Sequence, residues 1–183
     1  MLTKNLSHIP TSTAHQSRLQ IFQPTRRPEK LTRKIVTPWG TATISGKIGQ
    51  VHADIVEALC HYALDFRTIE ETRQLQVLVD PYQIRKSVGG GKPYSGDTLW
   101  KMFRELREAS IELNAPAQSI RIVGGIIDLA EKSPLLTLSR NGKERPLWRI
   151  TFNAAFALLL ANDLHLQYDP AALAKIETGV SQA

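Results

Sequence analysis

The sequence predicts an α+β domain in which two helices joined by a tight turn precede antiparallel strands. Three observations lead to this prediction. Asp80-Pro81 is a strong helix start, because Asp caps free amides and Pro is favoured at the first helical position. Asn141-Gly142 is the strongest hairpin signal in the chain. Alternating apolar residues over much of the segment between 110 and 152 indicate strands rather than another long helix.

The part of the domain ahead of these helices is predicted as a hairpin, a helix and a strand. Residues 35–44 alternate around a Pro-Trp-Gly turn, which indicates two short strands. Over residues 51–64 the apolar side chains, Ile55 and Leu59 among them, recur at helical spacing. Residues 75–79 alternate as a half-buried strand.

The two central helices are predicted from their caps and apolar spacing. The first covers residues 81–87 and ends before Gly89-Gly90-Gly91. The second begins at a cap formed by Ser95 or Asp97 and reaches about Ala109. Its polar residues are expected mainly outside the buried stripe, and these are Thr98, Lys101, Arg104, Glu105 and Glu108.

The remaining segments are predicted mostly as strands. Residues 110–113 alternate, residues 120–130 resume a strand with a bend at Gly124-Gly125, and residues 135–138 and 147–152 flank the Asn-Gly hairpin. Short elements are expected at residues 154–160, 164–168 and 171–176. Two helices followed by an antiparallel hairpin form the order of a winged helix.

Positive charge is concentrated near the start of the chain. The net charge is +6, with a pI near 9.6. Eight Lys and Arg residues and one acid lie before residue 51, a local balance of +7, which leaves −1 for the rest. Residues 1–34 are poor in aliphatic side chains, so we expect a flexible arm there, either solvated or lying along nucleic acid, and a winged-helix domain over residues 35–183. The cations expected to give the arm sequence-independent affinity are Arg26, Arg27, Lys30, Arg33 and Lys34.

The second central helix has the side chains of a DNA-reading helix. Thr98, Lys101 and Arg104 broadly share its outer face, and the DNA major groove admits one helix. Arg104 is the best candidate for a bidentate contact with guanine, and the Asn-Gly hairpin is the best candidate wing. The residues predicted to contact double-stranded DNA are Arg85, Lys86, Lys92, Ser95, Thr98, Lys101, Arg104, Arg140, Lys143 and Arg145.

No residue pattern predicts catalysis, a metal or a cofactor, so we expect a protein that is not an enzyme. Cys60 is the only cysteine and lies in an apolar stretch, where a buried, inert thiol is expected. The five histidines form no His-x-x-x-His pair, and the Gly-Gly-Gly-Lys run ending at Lys92 lacks the spacing of a phosphate-binding loop. No apolar run approaches the roughly 20 residues that cross a bilayer. We expect no membrane partner, and a bacterial cytoplasmic location associated with the nucleoid or a plasmid.

From about Val36 onward the chain resembles the winged-helix replication initiators of broad-host-range plasmids, the TrfA type. The resemblance is carried by Thr-Pro-Trp-Gly at residues 37–40, by residues 49–59 and by residues 99–106. It implies recognition of repeated origin sites by a protein without an active site. Such initiators usually have two tandem winged helices, help melt the origin and engage host replication proteins. Because this chain has room for one such domain, replication initiation as part of a longer protein and regulation of transcription by a plasmid-borne regulator both stay open.

The sequence leaves two further points open, the surface for self-association and an alternative function. A lone recognition helix usually gains specificity by dimerising on paired half-sites, so self-association is expected, but its surface is not predicted. The alternative function is a winged-helix interaction subunit of a larger conjugation, defence or counter-defence complex. Such a subunit would tolerate loss of Lys101 and Arg104, whereas a DNA reader loses affinity steeply as salt rises.

Overall fold

The computed structural model describes residues 21–37, 40–89 and 92–157. The helices are α1 (Gln50–His61), α2 (Pro81–Val88) and α3 (Gly96–Glu108), with a short 3-10 helix at Pro116–Gln118. The strands are β1 (Leu31–Thr37), β2 (Gly40–Gly46), β3 (Ala63–Ile69), β4 (Gln74–Val79), β5 (Ser110–Ala115), β6 (Ile120–Gly124), β7 (Ile127–Leu138) and β8 (Glu144–Phe152).

The strands form two four-stranded antiparallel sheets. One has the order β1-β2-β5-β6 and the other the order β3-β4-β8-β7. The α+β class is therefore confirmed. The strands after α3 are divided between the sheets, because β5 and β6 extend the first hairpin whereas β7 and β8 extend the β3–β4 pair.

The core lies where helices α1, α2 and α3 meet the two sheets. Ile55 and Leu59 of α1 and Ile84 of α2 are fully buried. In α3, Leu99, Phe103 and Leu106 are buried at the expected helical spacing. Complete burial of one such side chain stabilises the fold by about 1.5 to 3 kcal/mol. This burial fixes the three helices on the sheets and leaves their polar faces outside.

The N-terminal boundary predicted at residue 34 falls inside β1. Ile21 is fully buried in the core, and the backbone N–H of Gln23 donates to the Ile48 carbonyl at 3.1 Å. The guanidinium of Arg33 donates to the Ile21 carbonyl at 2.6 Å. One buried aliphatic and a few backbone hydrogen bonds therefore dock a segment whose composition is that of a free arm. Residues 1–20 of the predicted arm lie outside the described residues.

Strand β3 was not predicted. The helix expected over residues 51–64 ends at His61, and Ala63 already pairs with Val79. Phe66 pairs with Val77, but charged and polar neighbours interrupt the alternation, so the sequence pattern of β3 is weak. Residues 70–73, whose sequence predicts no clear element, form the turn between β3 and β4.

The bend predicted at Gly124-Gly125 is a break between two strands of different sheets. Strand β6 ends at Gly124 and β7 begins at Ile127. A Cβ atom at Gly124 would overlap the side chain of Asn153, so a larger residue there would displace Asn153. Asn153 in turn caps the helical residues 154–157 by accepting the Ala155 N–H at 2.8 Å. The rest of the helix predicted at 154–160 and the elements predicted at 164–168 and 171–176 lie outside the described residues.

Candidate nucleic-acid interface

Helix α2 begins as the sequence predicts. The Asp80 carboxylate accepts the Tyr82 N–H at 2.9 Å, and Pro81 occupies the first turn. Burial of Ile84 and Val88 turns Gln83 outward on the opposite side of the helix. Lys86 also lies exposed on this outer side and forms no hydrogen bond or ion pair with another described residue.

Arg85, predicted to contact DNA, is used within the protein. Its Nε donates to the Tyr94 carbonyl, and the Tyr94 N–H donates to the Arg85 carbonyl at 3.2 Å. These two bonds close the turn between α2 and α3. A Cβ at Gly89 would overlap the Lys92 carbonyl, which explains one of the three glycines. Lys92 is exposed, while Gly90 and Gly91 lie outside the described residues.

Ser95, rather than Asp97, caps helix α3. The Ser95 hydroxyl oxygen accepts the Thr98 N–H at 3.0 Å and lies 2.8 Å from the Thr98 hydroxyl. Both hydroxyls were predicted to face DNA, but they interact with each other at the cap. A contact with phosphate would have to share or replace this bond.

The outer face of α3 carries two exposed cations above a firmly packed inner face. Trp100 and Phe103 contact Trp148 of β8, with ring centroids 4.7 and 5.9 Å apart. Lys101 and Arg104 are exposed and form no hydrogen bond or ion pair with another described residue. Aromatic packing on the inner side therefore orients the helix so that Lys101 and Arg104 lie on the side exposed to solvent.

Glu105 does not belong to this exposed face, contrary to the prediction. Its carboxylate lies 2.9 Å from Nε2 of His52, which is buried in α1. Local sequence patterns do not predict this pair, because the two residues lie 53 positions apart.

The Asn-Gly hairpin forms as predicted. The Ser139 N–H donates to the Lys143 carbonyl at 2.8 Å, and the Ser139 hydroxyl accepts the Lys143 N–H at 2.9 Å. Gly142 adopts a φ of +73°, a conformation that favours glycine. The side chains of Arg140 and Lys143 are exposed at the tip and form no hydrogen bond or ion pair with another described residue.

Arg145 turns inward at the base of the hairpin. Its guanidinium pairs with the Asp80 carboxylate and lies over the Tyr82 ring, 5.0 Å from the centroid. Its Nε is buried and forms no hydrogen bond to any described residue. Arg145 thus ties the hairpin to the start of α2 and is not a free cation, although the sequence pattern grouped it with the DNA contacts.

A groove of about 600 Å³ lies between α2 and the hairpin. Lys86 and Arg140 contribute free positive charge to its walls, while the Asp80 carboxylate is already paired with Arg145. Sequence reasoning missed Tyr82 and Gln83 here. Both could have been found, because burial at Ile84 and Val88 places them on the outer side of α2.

The cations assigned to the N-terminal arm have different environments. Arg26 pairs with Asp54 of α1 at 3.2 Å, and Arg33 is partly buried, which lowers the pKa of its guanidinium by desolvation. Arg27, Lys30 and Lys34 are exposed and form no side-chain bond with another described residue. Three of the five arm cations therefore remain available to a polyanion.

Other kinds of site find little support within the described ranges. Cys60 is buried as predicted, and burial, followed by the charge of Glu57, raises the pKa of its thiol to about 12. No group of three or more His, Cys, Asp or Glu residues there is placed to hold a metal ion. None of the described helices combines the length and apolar content needed to cross a membrane.

Comparisons with known proteins show one distant structural likeness. No family model and no curated protein matches the chain. A crystal structure of RctB domains 2-3, residues 155–483, aligns with a TM-score of 0.41 and 12% sequence identity. The alignment covers 83% of this chain and 61% of the RctB chain. The chain therefore spans less than two thirds of that RctB fragment.

Proposed function

We propose that this protein binds double-stranded DNA sequence-specifically, with α3 as the helix that enters the major groove. The observation that carries the proposal is the contrast between the two sides of α3. Its inner side is fixed by Trp100 and Phe103 against Trp148, while Lys101 and Arg104 stand exposed on its outer side. A helix that reads bases needs a fixed orientation together with free donors.

The proposed contacts divide into base readout and backbone positioning. Arg104 donates to guanine O6 and N7, and Lys101 contacts a neighbouring base or phosphate. Lys86, Lys92, Arg140 and Lys143 contact phosphates, because they are exposed cations on α2, on the turn and on the hairpin. Arg85 and Arg145 support the turn and the hairpin from within, and Ser95 caps α3.

The winged-helix interpretation belongs to this proposal. Helices α2 and α3 form the helix-turn-helix, and the β7–β8 hairpin is the wing. Support comes from the chain order and from Arg145, which holds the hairpin against α2 so that its tip has a defined position. Exposed Arg27, Lys30 and Lys34 add sequence-independent attraction.

The biological role is proposed from the sequence resemblance. We infer a bacterial protein that acts at a plasmid origin or promoter by binding rather than by catalysis, as a replication initiator or a plasmid-borne regulator. Pairing of two copies on two half-sites would supply the specificity that one helix lacks. An initiator would in addition engage host replication proteins.

The test is selection of fragments from a random double-stranded DNA pool by the purified protein. Wild type should enrich one motif, and Arg104→Ala should blur it at one or two positions. Arg121→Ala is the matched control, because Arg121 is highly exposed on β6, a strand that is not part of the proposed interface, and the variant should leave the motif unchanged. Repeats of the motif in a plasmid origin would favour initiation. Absence of enrichment by wild type would overturn the proposal.

The second candidate function is a protein-interaction subunit, and a specific observation favours it. Leu135, Leu136 and Leu138 on the hairpin expose 52%, 54% and 66% of their surface. Clustered exposed leucines are typical of protein interfaces, whereas phosphates offer them no favourable contact. In this case, Leu136→Ser with Leu138→Ser should abolish partner binding, and the Arg104 variant should bind the partner normally.

A further inference from the structure

His52 is a buried polar side chain that the proposed DNA contacts do not use. It lies in the first turn of α1 and exposes 2% of its surface. Both ring nitrogens have partners. Nδ1 lies 3.2 Å from the Gly49 backbone nitrogen, and Nε2 lies 2.9 Å from Oε2 of Glu105 in α3.

These two contacts fix the proton on the ring. The Gly49 N–H can only donate, so Nδ1 must accept and carries no hydrogen. The proton of the neutral ring is therefore on Nε2 and is donated to the Glu105 carboxylate. Desolvation lowers the pKa of His52, while the hydrogen bond and charge of Glu105 oppose this and the charge of Lys47 adds to it. The neutral form with hydrogen on Nε2 matches both partners.

Gly49, at one end of this chain of bonds, is where the N-terminal segment docks. The Gln50 N–H donates to the Thr25 carbonyl at 2.9 Å, and Gln23 forms a bridge with Gly49. A Cβ at Gly49 would overlap the Thr25 carbonyl, so the two backbones approach closely. The conformation at Gly49 and the docking of residues 23–28 are thus linked.

Glu105, at the other end, belongs to the proposed reading helix. It follows Arg104 directly and lies one turn after Lys101. Apolar packing of Leu99, Phe103 and Leu106 holds the inner side of the helix, and the 2.9 Å hydrogen bond of Glu105 adds a directional contact on one flank, so the pair contributes to the rotation of the helix about its axis.

We propose that His52 is a positioning residue that couples the docked N-terminal segment to α3 through its neutral ring. A proton added at Nδ1 would meet the Gly49 N–H donor to donor, so the bond would break and the segment would loosen. The charged groups that act on the ring are Glu105 from α3 and Lys47 from the β2–α1 connection. The coupling stands on these contacts alone, while its effect on base readout rests on the proposed function.

The first test is the protonation state of His52 in the full chain. Long-range proton–nitrogen spectra of ¹⁵N-labelled protein at pH 7.5 should show hydrogen on Nε2 and an unprotonated Nδ1. Exposed His61 is the internal reference. Hydrogen on Nδ1 of His52 at this pH would overturn the proposal.

The second test follows hydrogen exchange as the pH falls. When His52 gains its second proton, the protection factor of the Gly49 amide should fall by about fivefold, the effect of one lost hydrogen bond. The protection factors of the α3 amides should change over the same pH range, because the bond to Glu105 becomes charge-assisted. His52→Asn can accept from Gly49 but not reach Glu105, and His52→Gln can reach Glu105 instead. The Asn variant should keep hydrogen-exchange protection at Gly49 only, and the Gln variant should keep it in α3 only. Neither variant should show a transition shared by both ends. Independent transitions at the two ends in wild type would contradict the coupling.

The effect on DNA is measured last, at pH 7.5. Both His52 variants should lose preference for the selected site over random DNA, while His61→Gln should keep it. If wild type binds no DNA, the proposed function fails, and the spectra and exchange data still decide the coupling. If both His52 variants keep the wild-type preference for the selected site over random DNA, His52 does not position α3 for base readout.

Discussion

Arg104 and Arg145 carry the same side chain and are both predicted from the sequence to contact DNA, yet their surroundings differ completely. Arg104 lies on the outer face of α3, exposed and without a bond to another described residue. Arg145 lies at the base of the hairpin, paired with Asp80 and placed over Tyr82. A run of basic residues therefore mixes cations that build the surface with cations that can bind a partner, and only the partners of each side chain separate the two.

The first prediction concerns Arg145, the arginine that points inward. Arg145→Met removes the partner of the nearly buried Asp80 carboxylate and should lower the free energy of unfolding by about 3 kcal/mol, the lower end for a broken buried pair, because Arg145 is partly exposed. Arg104→Ala should change it by less than about 0.5 kcal/mol, because it breaks no contact with another described residue. Urea unfolding followed by circular dichroism measures both variants.

Arg145→Lys is the control for this prediction. Lysine keeps the charge but not the planar group over Tyr82, so an intermediate loss of stability is expected. Equal stability of wild type and Arg145→Met would contradict the structural role of Arg145.

The second prediction concerns the exposed cations beside the groove. Lys86→Ala and Arg140→Ala should each weaken binding to selected and random DNA alike. Each should also make the negative slope of log K against log salt shallower by about 0.9, because one phosphate contact is lost. Neither variant should change the selected motif, since phosphate contacts carry no sequence information. Affinities at several salt concentrations provide the measurement. A changed motif with an unchanged slope would reassign these side chains to base contacts.

Sequence reasoning performs best where the signal is local. The caps at Asp80 and Ser95, the Asn-Gly turn and the burial of Cys60 each depend on neighbouring residues, and each is confirmed. Docking of Ile21 in the core and formation of β3 depend on partners far along the chain, which local patterns do not contain.

In the candidate site, too, local features are predicted from the sequence and long-range contacts are not. Exposure of Lys101 and Arg104 follows from helical spacing, so the sequence predicts it correctly. The engagement of Arg85 with Tyr94, of Arg145 with Asp80 and of Glu105 with His52 requires knowledge of tertiary contacts. Composition therefore identifies a basic surface but overestimates how many of its cations are free.

The third prediction concerns Glu57, an acidic residue of α1 that lines a pocket beside the end of α2. Burial, and then the charge of Asp54, raises the pKa of Glu57 from 4.5 to about 8. The folded state therefore binds the proton more tightly than the unfolded state between these values, and stability should fall as the pH rises from about 5 to 8. Glu57→Gln should reduce this fall. Unfolding free energies across the range, compared between wild type and variant, measure the difference, since His52 contributes equally to both. Parallel curves would contradict the raised pKa.

The outward role of Arg104 is tested most directly by equilibrium binding of wild type and Arg104→Ala to the selected site and to a scrambled site at one salt concentration. Loss of a bidentate guanine contact should reduce the preference for the selected site by about tenfold or more, with little change on scrambled DNA. Equal preference in the two proteins would contradict base readout by α3 and move the search to the leucines of the hairpin.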